Sequence, residues 1–233
     1  MCGRYVLKSA IQELARIFDA RPQPGYSFDP DYNITPGRDL PVVLQAKEES
    51  QRLIRPHRWG LIPHWAKEEK MGYSMINARS ETLAEKPSFR QAYRMRRCVV
   101  PADGFYEWKK TPDGKQPYYI SHPDGRPMAL AGLYERWTSP EERKIDSFTI
   151  ITTPANKTLE PLHDRMPAIL AGDEEVRFWL DPEEQNPSVL GELLRPWAED
   201  DIRFYPVSKT VNNPRNQGSE LIEPQEDLFG GAE

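Results

Sequence analysis

Residues 98–137, CVVPADGFYEWKKTPDGKQPYYISHPDGRPMALAGLYERW, decide the fold class. Short runs of Val, Ile, Tyr, Phe and Trp are cut by Pro112-Asp113-Gly114 and Pro123-Asp124-Gly125. Pro-Asp-Gly is turn chemistry, because proline presets φ at the second turn position and glycine is favoured at the fourth. The spacing predicts strands over 98–102, 105–110, 117–122 and 128–137, joined as a meander. The same reading extends outward to strands over 41–46, 52–61, 148–153 and 202–207. With 23 Pro and 14 Gly as punctuation, the chain reads as β-dominated with a few helices.

One helix is expected after Ser9, where Ser9 and Gln12 fit a capping box and Ile11, Leu14, Ala15 and Phe18 make one apolar face. A second is expected over 87–96, with Ser88 and Gln91 at the same spacing, and shorter ones over 174–180 and 188–194. No internal repeat or heptad array is present. Residues 1–222 read as one domain and 223–233 as a disordered acidic tail.

The 233 residues are 38% hydrophobic and 29% charged, with no apolar run of the roughly 18–20 residues that a membrane span needs. The start lacks the pattern of a secretory signal. A soluble cytoplasmic protein is expected, nucleoid-associated when bound to DNA, or nuclear in a eukaryote. Cys2 and Cys98 are the only cysteines, and a reducing compartment argues against joining them. The net charge of -5 hides an asymmetry: residues 1–110 hold 19 Lys+Arg against 13 Asp+Glu, and the remainder holds 12 against 23. A basic first half suits an anionic partner despite the overall sign.

Cys2 carries the most distinctive chemistry. Methionine aminopeptidases remove Met1 before a small residue, and that leaves an amine and a thiol on adjacent carbons. Their unperturbed pKa values lie near ~8 and ~8.5, so each has a reactive fraction at neutral pH. Toward an aldehyde, the amine can form an imine and the thiolate can close on the same carbon as a thiazolidine. Taken alone, Cys2 reads first as an accident of a frayed terminus, and the companion motifs must overturn that.

In residues 74–82, SMINARSET, extended backbone would point Asn77 and Arg79 to one side, an amide beside a guanidinium suited to phosphate. Glu107 sits between aromatics in DGFYEW, where apolar surroundings favour proton transfer near neutrality. His163, in LHDRMP at 162–167, lies in a loop before a strand. Residues 52–65 interleave basic and aromatic side chains, as phosphates and unstacked bases require. There Trp59 reads as core and Trp65 as the stacking candidate. Arg90, Arg94, Arg96 and Arg97 read as a solvated helix face or a basic patch. No CxxC or HxxxH spacing suggests a metal, and no phosphate loop, dinucleotide fingerprint or GxSxG elbow appears; no metal or cofactor is expected.

The stretches MCGRY, YNITPG (32–37), RWGLIPHWAK (58–67), INARSET (76–82), PADGFYEWKK (101–110), LHDRMP (162–167) and NQGSELIEP (216–224) together resemble the SRAP family of abasic-site-sensing proteins. The resemblance implies an α+β domain with a curved, barrel-like, mostly antiparallel β core and flanking helices. It implies capture of the ring-opened deoxyribose of an abasic site in single-stranded DNA as a thiazolidine crosslink, with self-reversal and autoproteolytic loss of Met1. It makes Cys2 the nucleophile. Asn77 would position the amine and sugar, and Glu107 and His163 would manage protons. Arg4, Arg79, Arg165 and Lys86 look like phosphate contacts, and Thr152 like a hydrogen-bonding partner near the site. Pro36 and Trp65 look like the wedge against exposed bases. Some relatives carry two adjacent tryptophans where this chain has His64-Trp65, a departure that leaves the breadth of the stacking platform open. A monomer is expected, with the recruiting partner unnamed. An N-terminal-nucleophile amidohydrolase and a non-covalent single-strand binding module remain the alternatives.

Overall fold

The computed structural model describes residues 2–225 except 46, 48–50, 113, 199 and 200. The strand over 41–46 appears as β4 (Asp39–Leu44), with Ala46 outside the described residues. Within residues 98–137, β7 (Arg97–Ala102) and β8 (Gly104–Thr111) are separated by Asp103 alone, yet they belong to different sheets. β8 forms a hairpin with β9 (Gly114–Ser121), while β10 (Met128–Thr138) returns to pair with β7, Leu130 opposite Val100. The expected meander is therefore corrected: a hairpin of one sheet is inserted between two paired strands of the other.

Asp103 and Gly104 make that crossing. The Asp103 carboxylate is buried and accepts from Lys8 N at 2.7 Å, Ser9 N at 2.9 Å and Ser9 Oγ at 2.7 Å. A Cβ on Gly104 would lie 2.3 Å from the Tyr119 ring, so only glycine fits. Ser9 thus spends its hydroxyl on Asp103, not on a capping box. The first helix, α1 (Ile11–Ile17), follows Ala10 with no side-chain cap, and α2 (Arg90–Met95) likewise follows Phe89 without one. α3 (Gly172–Leu180) and α4 (Pro187–Gly191) fall within a few residues of expectation.

β4 also pairs with β7 and with β5 (Arg52–Trp59), and β10 pairs with β11 (Lys144–Pro154). A parallel pairing of β5 with β11, Ser147 opposite Arg58 and Phe148 opposite Trp59, then closes β4, β5, β11, β10 and β7 into a five-stranded barrel. The expected barrel-like α+β architecture is present. β2 (Ala20–Pro22), β6 (Asn77–Arg79), β12 (Arg165–Pro167) and β13 (Ile169–Leu170) attach to it.

The second sheet runs β14 (Arg203–Pro206), β9, β8, β1 (Tyr5–Leu7) and β3 (Asp31–Ile34). Period-two alternation gives it two buried faces. Tyr5, Leu7, Phe105 and Ile120 join the principal core with Val43, Ile54, Leu130 and Phe148, and Tyr5 meets Trp59 edge-on at 5.2 Å. Each such fully buried side chain contributes roughly 1.5–3 kcal/mol. On the other face Val6, Tyr106 and Tyr119 are covered by Val207, Val211 and Leu221. The C-terminal segment continues past 222 against β14: Pro224 bridges Val207, and Gln225 N donates to Pro206 O at 2.8 Å. The rest of the expected tail, 226–233, lies outside the described residues.

The basic run around α2 divides. Arg97 is buried, its guanidinium donating to the carbonyls of Trp179 at 2.6 Å, Tyr93 at 3.1 Å and Glu184 at 2.8 Å, where helix carbonyls favour a cation. Arg90 and Arg94 remain exposed. Among the described residues, no helix is long and apolar enough to cross a membrane.

Candidate active site

β1 lies between β8 and β3, Tyr5 opposite both Phe105 and Ile34, so the start of the chain is drawn into a sheet interior. Cys2 is 0% exposed. Burial pushes its thiol well above the ordinary cysteine range, and the nearby Glu107 carboxylate adds to the rise. This corrects the expectation of a nearly unperturbed thiol: with Met1 ahead of it, Cys2 holds a protonated sulfur and an amide nitrogen.

Asn77 opens β6, which runs parallel to β11 with Asn77 opposite Ile150. Asn77 and Arg79 flank the buried Ala78, as an extended segment requires. Asn77 Nδ2 donates to Cys2 O at 2.8 Å, whereas Oδ1 is buried with no hydrogen-bond partner among the described residues. A buried carbonyl oxygen left this way costs about 1–3 kcal/mol, which a donor placed there would recover.

Glu107 is buried on β8 and lines a cleft of about 810 Å³ together with His163. Arg4, Trp108, Lys110, Lys115 and Asn212 share its walls. His163 stands in the loop before β12. Its Nδ1 accepts from Arg165 N at 3.0 Å and lies 2.7 Å from Asp164 Oδ1. The first contact suits the neutral ring and the second the imidazolium, so each protonation state has a partner.

Cys2, Asn77, Glu107 and His163 thus come together from four segments. Arg4 joins them at the cleft. Its guanidinium donates to Asn33 Oδ1 at 2.5 Å and Val211 O at 2.9 Å and stands 5.7 Å from the Trp108 ring centre. Thr152, buried on β11, lies between Arg79 on β6 and Pro167 on β12. Arg165 Nη2 donates to Thr152 O at 2.6 Å and to Glu81 Oε2 at 2.9 Å, and Arg165 Nη1 bonds the other Glu81 oxygen. The Arg165 hydrogen bonds hold the Glu81 carboxyl below its usual range.

The wedge candidates stand elsewhere. Trp65 is 47% exposed on a hollow shared with His64, Pro87 and Arg90, and Lys86 is exposed beside it in sequence. Pro36 is half-buried next to Gly37, which lines a different hollow with Arg58 and Tyr73. Trp59 is in the core, as expected. His64 Nδ1 lies 3.2 Å from Glu135 Oε2, a buried carboxylate that Arg96 also holds at 2.8 Å. The residue beside Trp65 is therefore a tether to the barrel.

Several neighbours escaped the sequence reading. Tyr73 is 71% exposed near Pro36-Gly37, and its only signal was an aromatic in a polar run. Glu81, inside INARSET, pairs with an arginine 84 residues away. Lys110 and Lys115 flank the Pro-Asp-Gly turn of the β8–β9 hairpin and read as ordinary turn polarity.

The sequence profile described as SOS response associated peptidase (SRAP) matches residues 1–214. The Bacillus subtilis abasic site processing protein YoqW is 44% identical over 96% of this chain and 99% of its own length. The Xenopus tropicalis abasic site processing protein HMCES is 36% identical over 95% of this chain and 78% of its own. A crystal structure of a Bacteroides thetaiotaomicron protein superposes with a TM-score of 0.85 at 26% identity, covering 96% of this chain and all of that one.

Proposed function

The chain belongs to the SRAP family, and on that premise we propose that it senses and shields abasic sites in single-stranded DNA by crosslinking to them through Cys2. The observation that carries the reading is the amide of Asn77, which holds Cys2 O with Nδ2 and leaves Oδ1 buried beside the residue whose α-amine must react.

Removal of Met1 turns the Cys2 amide nitrogen into an amine that Asn77 Oδ1 can orient by accepting one of its hydrogens. The closed sugar must first open to the aldehyde, with one proton leaving the anomeric hydroxyl and another reaching the ring oxygen. His163, with a partner in each protonation state, suits that exchange. The amine adds to the aldehyde carbon and water leaves, giving an imine. The thiol then adds to the same carbon, its proton leaves sulfur, and the imine nitrogen takes one up, closing the five-membered ring. Burial keeps the thiol protonated, so the amine leads, and Glu107, the neighbouring carboxylate, is the base placed to receive the sulfur's proton. The same transfers in reverse release the DNA. Arg4, Arg79, Arg165 and Lys86 would hold phosphates, Thr152 would hold Arg165, and Trp65, Pro36 and Tyr73 would stack on bases.

The test is incubation of processed protein with a single-stranded oligonucleotide carrying one abasic site, beside the same oligonucleotide with an intact base. A heat-stable adduct on the first alone is expected. Adduct on neither, or equally on both, contradicts the reading, and turnover of an amide without DNA adduct would favour an amidohydrolase.

A further inference from the structure

Most cations around the cleft already have protein partners. Arg4 is engaged by Asn33 and Val211, and Arg165 by Glu81 and Thr152. Lys110 and Lys115 differ. Both are exposed, both line the cleft that holds Glu107 and His163, and neither has an acidic partner among the described residues. They are also directly opposed in the β8–β9 register, Lys110 to Lys115, one pair beyond Lys109 and Gln116. Like charges facing each other across an antiparallel pair repel, so an anion held between them would relieve the repulsion and be gripped by both.

The surroundings suit a nucleic-acid backbone. Trp108 is two residues before Lys110 on the same face of β8, and its Nε1 donates to Asn212 Oδ1 at 2.7 Å, which fixes the ring. Glu107 and Lys110 are three strand residues apart, about 10 Å, so an anion between the lysines sits further along the cleft than the reacting sugar.

We propose that Lys110 and Lys115 form a further phosphate clamp at the hairpin end of the cleft, gripping the DNA backbone next to the lesion. The clamp rests on the function proposed above. It explains why a hairpin carries two opposed lysines at its tip when no carboxylate of the described chain neutralises them. It also makes the β8–β9 hairpin serve both ends of the site: Glu107 at the reacting centre and, nearer the turn, the lysine pair, with Lys110 on β8 and Lys115 on β9.

The experiment compares wild-type protein with K110Q/K115Q, measuring the affinity for an unmodified single-stranded oligonucleotide over a series of salt concentrations, and the adduct yield with saturating abasic oligonucleotide. The slope of log affinity against log salt is expected to fall by about 1.4, from roughly 0.7 per phosphate on a single strand. Affinity at low salt should fall on the order of tenfold. Adduct yield at saturation and the thermal midpoint should not fall. K110R/K115R, which keeps both charges, should retain the wild-type slope. An unchanged slope in K110Q/K115Q, or an equal loss in K110R/K115R, overturns the clamp while leaving the crosslinking function standing. Wild-type protein that neither binds nor crosslinks the DNA removes both.

Discussion

Cys2 and Cys98 are alike in every respect that burial can make them. Both are fully enclosed, and burial pushes both thiols well above the usual range. Their neighbours separate them. Cys98 lies on β7 with its carbonyl accepting from Trp179 Nε1 at 2.9 Å, and a Cβ on Gly132 would come within 3.0 Å of its sulfur. Among the described residues, burial alone accounts for its shift. Cys2 has a carboxylate, Glu107, acting on its thiol and lining the cleft, and a side-chain amide on its carbonyl. Burial alone makes an inert thiol, and polar groups brought in from distant segments make a candidate nucleophile.

The sharpest way to break the comparison is to exchange each sulfur for hydrogen. Cys2→Ala should abolish the abasic-site adduct, whereas Cys98→Ala should retain it and cost about 1 kcal/mol of stability as a small cavity, read from the urea midpoint. Adduct formation by Cys2→Ala at the wild-type rate would erase the distinction. Next in size, Glu107→Gln should slow adduct formation by about 100-fold. Burial is the larger cause of the rise at the Cys2 thiol, and the same change removes the charge that adds to it. In protein retaining Met1, Cys2 should therefore alkylate faster than in wild type at a given pH, with Cys98 unaffected. Equal changes at both cysteines would mean that the substitution loosens the fold instead of acting on charge.

Acid sets a background common to both thiols. His57 is buried on β5, and burial holds it down at about 4 against its usual 6.5, only partly offset by Asp146. The unfolded chain therefore takes up a proton between about pH 6.5 and 4 that the folded chain refuses, and stability falls as pH drops through that window. The loss is on the order of 3 kcal/mol when complete. His57→Phe should flatten the urea midpoint against pH over that range, and an unchanged profile would assign the acid sensitivity elsewhere. The smallest expected effect belongs to Arg79, which is exposed on β6 beyond Asn77. Arg79→Gln should lower the salt slope of single-strand affinity by about 0.7, one phosphate's worth, without affecting either thiol.

Local chemistry made the strands and their turns legible. Pro-Asp-Gly ends β8 and separates β9 from β10, and the Ile11, Leu14 and Phe18 face of α1 is buried as its period requires. Sheet membership was not legible. Nothing in residues 97–111 marks Asp103 as the point where the chain changes sheets, because the cause is a set of bonds to Lys8 and Ser9 nearly a hundred residues earlier. The same long range hid the fate of Arg97, which reads as surface charge but fills a nest of carbonyls. At the site, Cys2, Asn77, Glu107 and His163 carried recognisable chemistry in recognisable motifs. Glu81 and the lysine pair acquire meaning only from partners that the fold supplies.

The central claim is that the reacting group is the terminal aminothiol of Cys2, and intact-mass analysis tests it most directly. Protein with Met1 removed and protein with Met1 retained are each incubated with an abasic single strand, and the modified residue is mapped by digestion. The account predicts an adduct on Cys2 in the processed form, at the mass of protein plus DNA less one water, and none in the form that keeps Met1. An adduct of equal yield on the Met1-bearing chain, or one mapped to a lysine, would contradict it.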